Sequence, residues 1–204
     1  MSEDKDASKI VTGPHTAAYT NLFEPNTYKD KKTGAEGKPT YGYLGLFKEV
    51  DDYKKIVDLA QAIARKEWGD DVDMKTVEMP FKNAAKEADR LVKENGKSEA
   101  QVAFYRQYRG LVKVSTQFKP QVVDKKGEDI LDRNEIYSGV VIRAELNLVP
   151  RQVRNNKFIK AYVNFVMKVG DGQRLAGRDA KSVFKGIMGE TSNTDVADDD
   201  ITEY

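Results

Sequence analysis

Phe158, Lys160, Tyr162, Asn164 and Lys168 occupy even-numbered positions of one run, so an extended backbone sets aromatic rings and ammonium groups side by side on one face. Arg143 falls on the matching face of the preceding run, and Arg151, Arg154 and Lys157 lie between the two. A second cluster, Phe104-Tyr105-Arg106-Gln107-Tyr108-Arg109, interleaves aromatics with arginines ahead of Lys113, and Tyr43 adds a ring earlier in the chain. Holding a single nucleic-acid strand needs cations that follow the phosphates and flat rings on which unpaired bases stack at about 1 to 3 kcal/mol each. Solvated strand faces with aromatics in cross-strand contact produce the same pattern. The pattern alone does not separate the two.

The charge distribution favours the polyanion reading. The chain has 34 basic and 33 acidic side chains, yet six of the acids fall in the last fifteen residues, which hold no Lys or Arg. The remainder therefore carries a formal charge of +7 and the end −6. A basic body attracts polyanions, and an acidic tail can imitate one. Within that tail Asp195, Asp198, Asp199, Asp200 and Glu203 are punctuated by Ile201 and closed by Tyr204, an arrangement suited to a basic groove or a partner's pocket.

Catalytic and cofactor readings find little support. With no Cys and a single His, His15, a histidine triad, a multi-histidine metal site and thiolate chemistry are excluded, and no cofactor is expected. Asp70, Asp71 and Asp73 read as a solvated turn after a helix rather than a cation site. Gly170-Asp171-Gly172 lacks the spacing of a phosphate-binding loop. No apolar run approaches the roughly 20 residues of a membrane helix, and the first ten residues lack a signal core. An intracellular protein without a membrane partner is expected.

These groups need a scaffold, and at 204 residues one core with appendages is the natural size. Residues 1–18 read as a flexible arm. A first strand is expected over 41–47, with Leu44 and Leu46 facing one way and Tyr41, Tyr43 and Phe47 the other. Apolar positions 53, 56, 57, 60, 63, 64 and 68 predict a helix over 51–68 capped by Asp51 or Asp52, and a second helix over 82–95 stops at Asn95-Gly96. Period-two alternation then predicts strands over 111–118, 137–149 and 158–169, the last two joined by an eight-residue loop. Strands of 8 to 12 residues with one apolar face each suggest a mainly β chain with helical insertions (α+β), an OB-like five-stranded barrel. Residues 19–185 would form it, and 186–204 would be a disordered acidic tail.

Several blocks also resemble a known family. Ile136-Tyr137-Ser138-Gly139 through Leu146-Asn147, Asn156-Lys157, Gly170-Asp171-Gly172-Gln173-Arg174-Leu175-Ala176-Gly177 and a closing Val183-Phe184 are similar to the OB-fold single-stranded DNA-binding proteins of tailed bacteriophages. So are Asn21-Leu22-Phe23-Glu24-Pro25 and 119–124. The resemblance implies a non-enzymatic protein of phage replication, recombination or repair in the cytoplasm of an infected bacterial host. Its acidic tail would contact a DNA polymerase, helicase or primase. The resemblance does not say which aromatics stack, nor does it match the lysine-rich segment 77–98. A metal-dependent nuclease and an OB-fold RNA-binding or structural protein are the competing readings.

Overall fold

The structure is a computed structural model that describes residues 7–27, 29 and 34–175. In chain order its strands are β1 (Lys9–Val11), β2 (His15–Asn26), β3 (Thr40–Phe47), β4 (Val77–Glu78), β5 (Phe81–Asn83), β6 (Gly110–Thr116), β7 (Gln121–Val123), β8 (Val141–Val153) and β9 (Asn156–Gly170). Three α-helices interrupt them: α1 (Val50–Trp68), α2 (Ala84–Asn95) and the single turn α3 (Glu99–Val102).

The alternation in the sequence becomes a closed ring. β2 pairs antiparallel with β3 and β3 with β6, β6 runs parallel to β9, β9 is antiparallel to β8, and β8 returns to β2. Val140, Ile142, Ala144, Leu146 and Leu148 are all buried, as are Val112, Val114 and Thr116. They meet Tyr43, Phe47 and the α1 residues Ile56, Ala60 and Ala64 in one core. On the other side of β3 and β6, Leu46 and Leu111 lie beneath Ala84 and Ala88 of α2 and a cap formed by Val102, Tyr105 and Tyr108. The chain is thus mainly β with few helices, and its helical insertion covers part of the ring's outside.

Several expectations are corrected. The arm is not loose from residue 9 onward, because β1 pairs with β8 and β2 supplies Ala17 and Ala18, neither of them exposed. His15 belongs to the core: its ring stacks on Phe47 at 4.4 Å, Nδ1 donates to the Gly13 carbonyl at 3.0 Å, and Nε2 accepts from the Tyr43 hydroxyl at 3.2 Å. Burial drives its pKa down to about 4, so the imidazole is neutral at pH 7. Polar letters hid this strand: Thr12 and His15 satisfy one another and the backbone inside the protein.

The caps also shift. α1 starts at Val50 with no side-chain cap, Asp51 and Asp52 falling in its first turn, where the helix dipole favours acids. α2 begins two residues later than its pattern predicts, because Asn83 accepts from the Lys86 N–H as its cap while Lys82 stays on β5. The long loop of the final hairpin contracts to Arg154 and Asn155, since β8 runs to Val153 and Arg154 takes a φ of 55°.

A β-bulge changes the last strand most. Leu146 opposes Val163 while Glu145 opposes Phe165, so Asn164 is the extra residue and the alternation inverts beyond it. Val166 is buried, Phe165 is half exposed, and Lys168 pairs with the buried Ile142 instead of sharing the face of Tyr162. The expected docking of Val183 and Phe184, and the tail at 186–204, lie outside the described residues.

Candidate nucleic-acid interface

Register places the outer-face residues. Leu44 pairs with Lys113 and Leu46 with Leu111, while Ala161 of β9 lies beside Val114, which brings Phe158 and Lys160 next to Lys113 on the ring's exterior. The segment 78–82, tied to β9 by β4 and to β6 by β5, walls this surface on one side. The result is a groove of about 550 Å³. Its floor is Leu44, Leu111, Tyr105 and Ala161, with Phe158 on one flank, Lys82, Lys113 and Lys160 along its edges, and Glu78 and Glu87 also in its lining. A smaller groove of about 300 Å³ continues it, sharing Leu44, Lys113 and Ser115 and adding Tyr19 and Tyr41. Lys113 therefore stands at the junction of the two.

Electrostatics sorts the sequence's candidate cations. Among the described residues, Lys113, Arg143, Arg151, Arg154, Lys157 and Lys160 have no carboxylate at ion-pair distance. Lys160 instead lies 4.7 Å from the Tyr162 ring centroid, and Arg151 5.9 Å from the same ring. Lys157 lies 5.8 Å from the Trp68 ring. These cations are held near aromatic faces with their charge uncancelled, a state from which a phosphate can draw them. Arg154 caps the hairpin tip, and Arg143 is exposed on β8 opposite Met167.

Other candidates are placed elsewhere. Arg106 is bonded to Asp89 at 2.9 Å and Glu99 at 3.1 Å, so an approaching phosphate meets two carboxylates. Lys168 is held by Asp171 at 3.0 Å and Glu135 at 3.4 Å. Arg109 is exposed but outside the groove lining. Tyr43 is a core residue with no free ring face, and burial pushes its hydroxyl pKa far up. Tyr108 is buried with its hydroxyl on Thr16, and Tyr105 contributes floor rather than a platform. The hydrophobic demand of the helical cap outweighed the aromatic–arginine pattern at 104–109.

Residues absent from the sequence reading complete the surface. Lys82 was hidden inside an expected helix, and its ammonium rests 3.2 Å from Glu87. The hydrogen bond from Arg90 holds that Glu87 carboxyl below its ordinary range, against the opposing effect of burial and with help from Lys82. Tyr19 fell at the edge of the expected arm and Tyr41 was read only as sharing a strand face with Tyr43 and Phe47; both lie near irregular pairing of β2 and β3. Asp73 accepts from the Lys75 N–H in a turn, and no cluster of three potential metal ligands forms among the described residues.

Comparison with known proteins agrees with this fold. A search of curated protein sequences returned no match. Among solved structures, the single-stranded DNA-binding protein from bacteriophage Enc34 in complex with single-stranded DNA matches with a TM-score of 0.61 and 17% identity, covering 83% of this chain and 90% of that one. A second structure of the single-stranded DNA-binding protein from bacteriophage Enc34 gives 0.60 and 17%, over 86% and 89%. The single-stranded DNA-binding protein gp2.5 of bacteriophage T7 gives 0.51 and 17%, over 84% and 96%. At such identity these likenesses establish the fold. A family model described as the single-stranded DNA-binding protein of Enterobacter phage Enc34 matches residues 8–200, nearly the whole sequence, and the chain belongs to that family.

Proposed function

We propose that this chain is a non-enzymatic protein that binds single-stranded DNA with little base preference and coats exposed strands during phage replication, recombination or repair. The observation that carries the reading is the groove itself: an apolar and aromatic floor edged by Lys113 and Lys160, with Phe158 beside them. Bases need the floor and phosphates need the edges. The five paired strands of the ring support an OB-type barrel as its scaffold.

Titration of single-stranded DNA, matched RNA and blunt duplex at several salt concentrations tests this. If about five phosphates meet Lys113, Arg151, Arg154, Lys157 and Lys160, the log-log salt slope for the single strand is about −3.5, at roughly −0.7 per phosphate. Duplex should bind much more weakly, because paired bases cannot reach the groove floor. Salt-independent binding, or equal affinity for duplex, would overturn the proposal.

The acidic tail belongs to the same proposal as a competitor for the groove and a recruiter of a polymerase, helicase or primase. Leu175, at the end of the described residues, packs against the outer cluster containing Tyr105, which also lines the groove. A flexible stretch of fifteen residues spans roughly 20 Å, at about 5 to 6 Å times the square root of length. Deleting residues 190–204 should tighten single-strand binding, most clearly at low salt where attraction is least screened. It should also abolish retention of the replication partner. A truncated protein no tighter than the full chain at low ionic strength would remove the competition.

A further inference from the structure

Tyr19 sits in β2 between the buried Ala18 and the half-buried Thr20, yet it is 58% exposed and its φ is 51°. The left-handed region disfavours a tyrosine, and a bulge with no further role is met by glycine without that strain. Pairing with β3 breaks here, resuming only where Asn21 opposes Gly42. The ring lines the smaller groove beside Lys113, and its hydroxyl is 3.4 Å from that of Tyr105.

The backbone around Tyr19 is clamped by the segment from Ile136 to Val140. The Tyr19 N–H donates to Ser138 Oγ at 3.1 Å, the Gly139 N–H to the Ala17 carbonyl at 2.7 Å, and the Ala17 N–H to the Val140 carbonyl at 2.9 Å. Thr20 Oγ1 adds a bond to the Ile136 carbonyl at 3.3 Å. Strain retained on an exposed aromatic and over-determined by four bonds marks a functional position.

Resting on the single-strand reading above, we propose that Tyr19 is a second base-stacking platform, reached by the DNA after it passes Lys113, and that Ser138 and Gly139 position it. The ligand at this subsite is one unpaired base with its phosphate on Lys113. The strand then runs from Phe158 on β9 across β6 and β3 to β2.

The test titrates the full chain with an oligothymidylate and with an abasic oligomer of equal length. Tyr19→Ala should weaken oligothymidylate binding by about 5- to 150-fold, the range set by one lost stacking contact. It should leave abasic binding within about twofold, because phosphate contacts persist. Tyr19→Gly should bind as weakly as Tyr19→Ala but melt at a higher temperature, since both lack the ring and only glycine relieves the positive φ. Ser138→Ala should lose part of the oligothymidylate affinity and none of the abasic. A wild type that binds oligothymidylate tightly while Tyr19→Ala binds it equally, or loses the same factor on the abasic oligomer, overturns the inference alone. A wild type that binds neither oligomer overturns the single-strand reading and this inference with it.

Discussion

Alanine at Gly139 should destabilise the fold by about 2 to 5 kcal/mol, combining a strained backbone with an overpacked contact. Gly139 has a φ of 119°, and an added Cβ would collide with the carbonyl oxygen of Gln173. The contact is reciprocal, since a Cβ on Gly172 would collide with the carbonyl oxygen of Gly139. The two glycine-bearing blocks therefore meet backbone to backbone, and the Tyr137 hydroxyl locks them by donating to the Gly172 carbonyl at 3.0 Å. Gly127 is the control: its φ is 86° but nothing lies within 4 Å of an added Cβ. Gly127→Ala should cost only backbone strain, about 1 to 2 kcal/mol. Urea unfolding of both variants checks the difference, and equal destabilisation would show that the close approach at 139 is unimportant. Gly139→Ala should also lose single-strand affinity, because Ser138 and Tyr19 move with it.

The period-two runs were readable because each strand buries one face on one core. Val112 to Thr116 and Val140 to Leu148 follow their expected faces throughout. That logic fails where pairing is irregular: the extra Asn164 turns Phe165 outward and takes Lys168 out of the groove, and no feature of the local sequence separates it from an ordinary outward residue. It fails again where the chain enters β2, since Thr12, His15, Ala17 and Ala18 are buried there and the first large apolar core residue is Leu22. A polar pair that satisfies itself inside looks from sequence like a solvated arm.

The candidate groove was legible in part for the same reason. Phe158, Lys160 and Lys113 were accessible to pattern reasoning because they alternate with core residues on regular strands. The arginines and tyrosines at 104–109 have an equally suggestive composition, but they lie where α2 meets the ring, and there Arg106 is consumed by Asp89 and Glu99. Interleaving of charge with aromatics thus needs a partner count as well as a face. The carboxylates that neutralise Arg106 and Lys168 are separated from them by 7 to 33 residues, except Asp171, and such pairs are set by tertiary contact.

Phe158 and Tyr162 should then differ in a definite order. Phe158 flanks the groove with no cation on its ring among the described residues, so a base stacking there gains the full contact, about 1 to 3 kcal/mol. Tyr162 already has Lys160 and Arg151 near its ring, and a base that displaces them forfeits about 0.5 to 1 kcal/mol of cation–π attraction. Both cations remain available to the phosphates, so part of that loss is recovered. Phe158→Leu keeps most of the buried volume while removing the flat face, and it should weaken single-strand binding more than Tyr162→Leu. The double variant should lose about 2 to 4 kcal/mol, near the sum, since the two rings take different bases. The salt slope should stay near its wild-type value in all three, because no phosphate contact is deleted. Fluorescence titration at two salt concentrations, with circular dichroism to verify the fold, reads both quantities. A folded Phe158→Leu protein with wild-type affinity would move the strand off this groove. A folded Tyr162→Leu protein weaker than Phe158→Leu would place the main platform on the outer face of the β8–β9 hairpin instead.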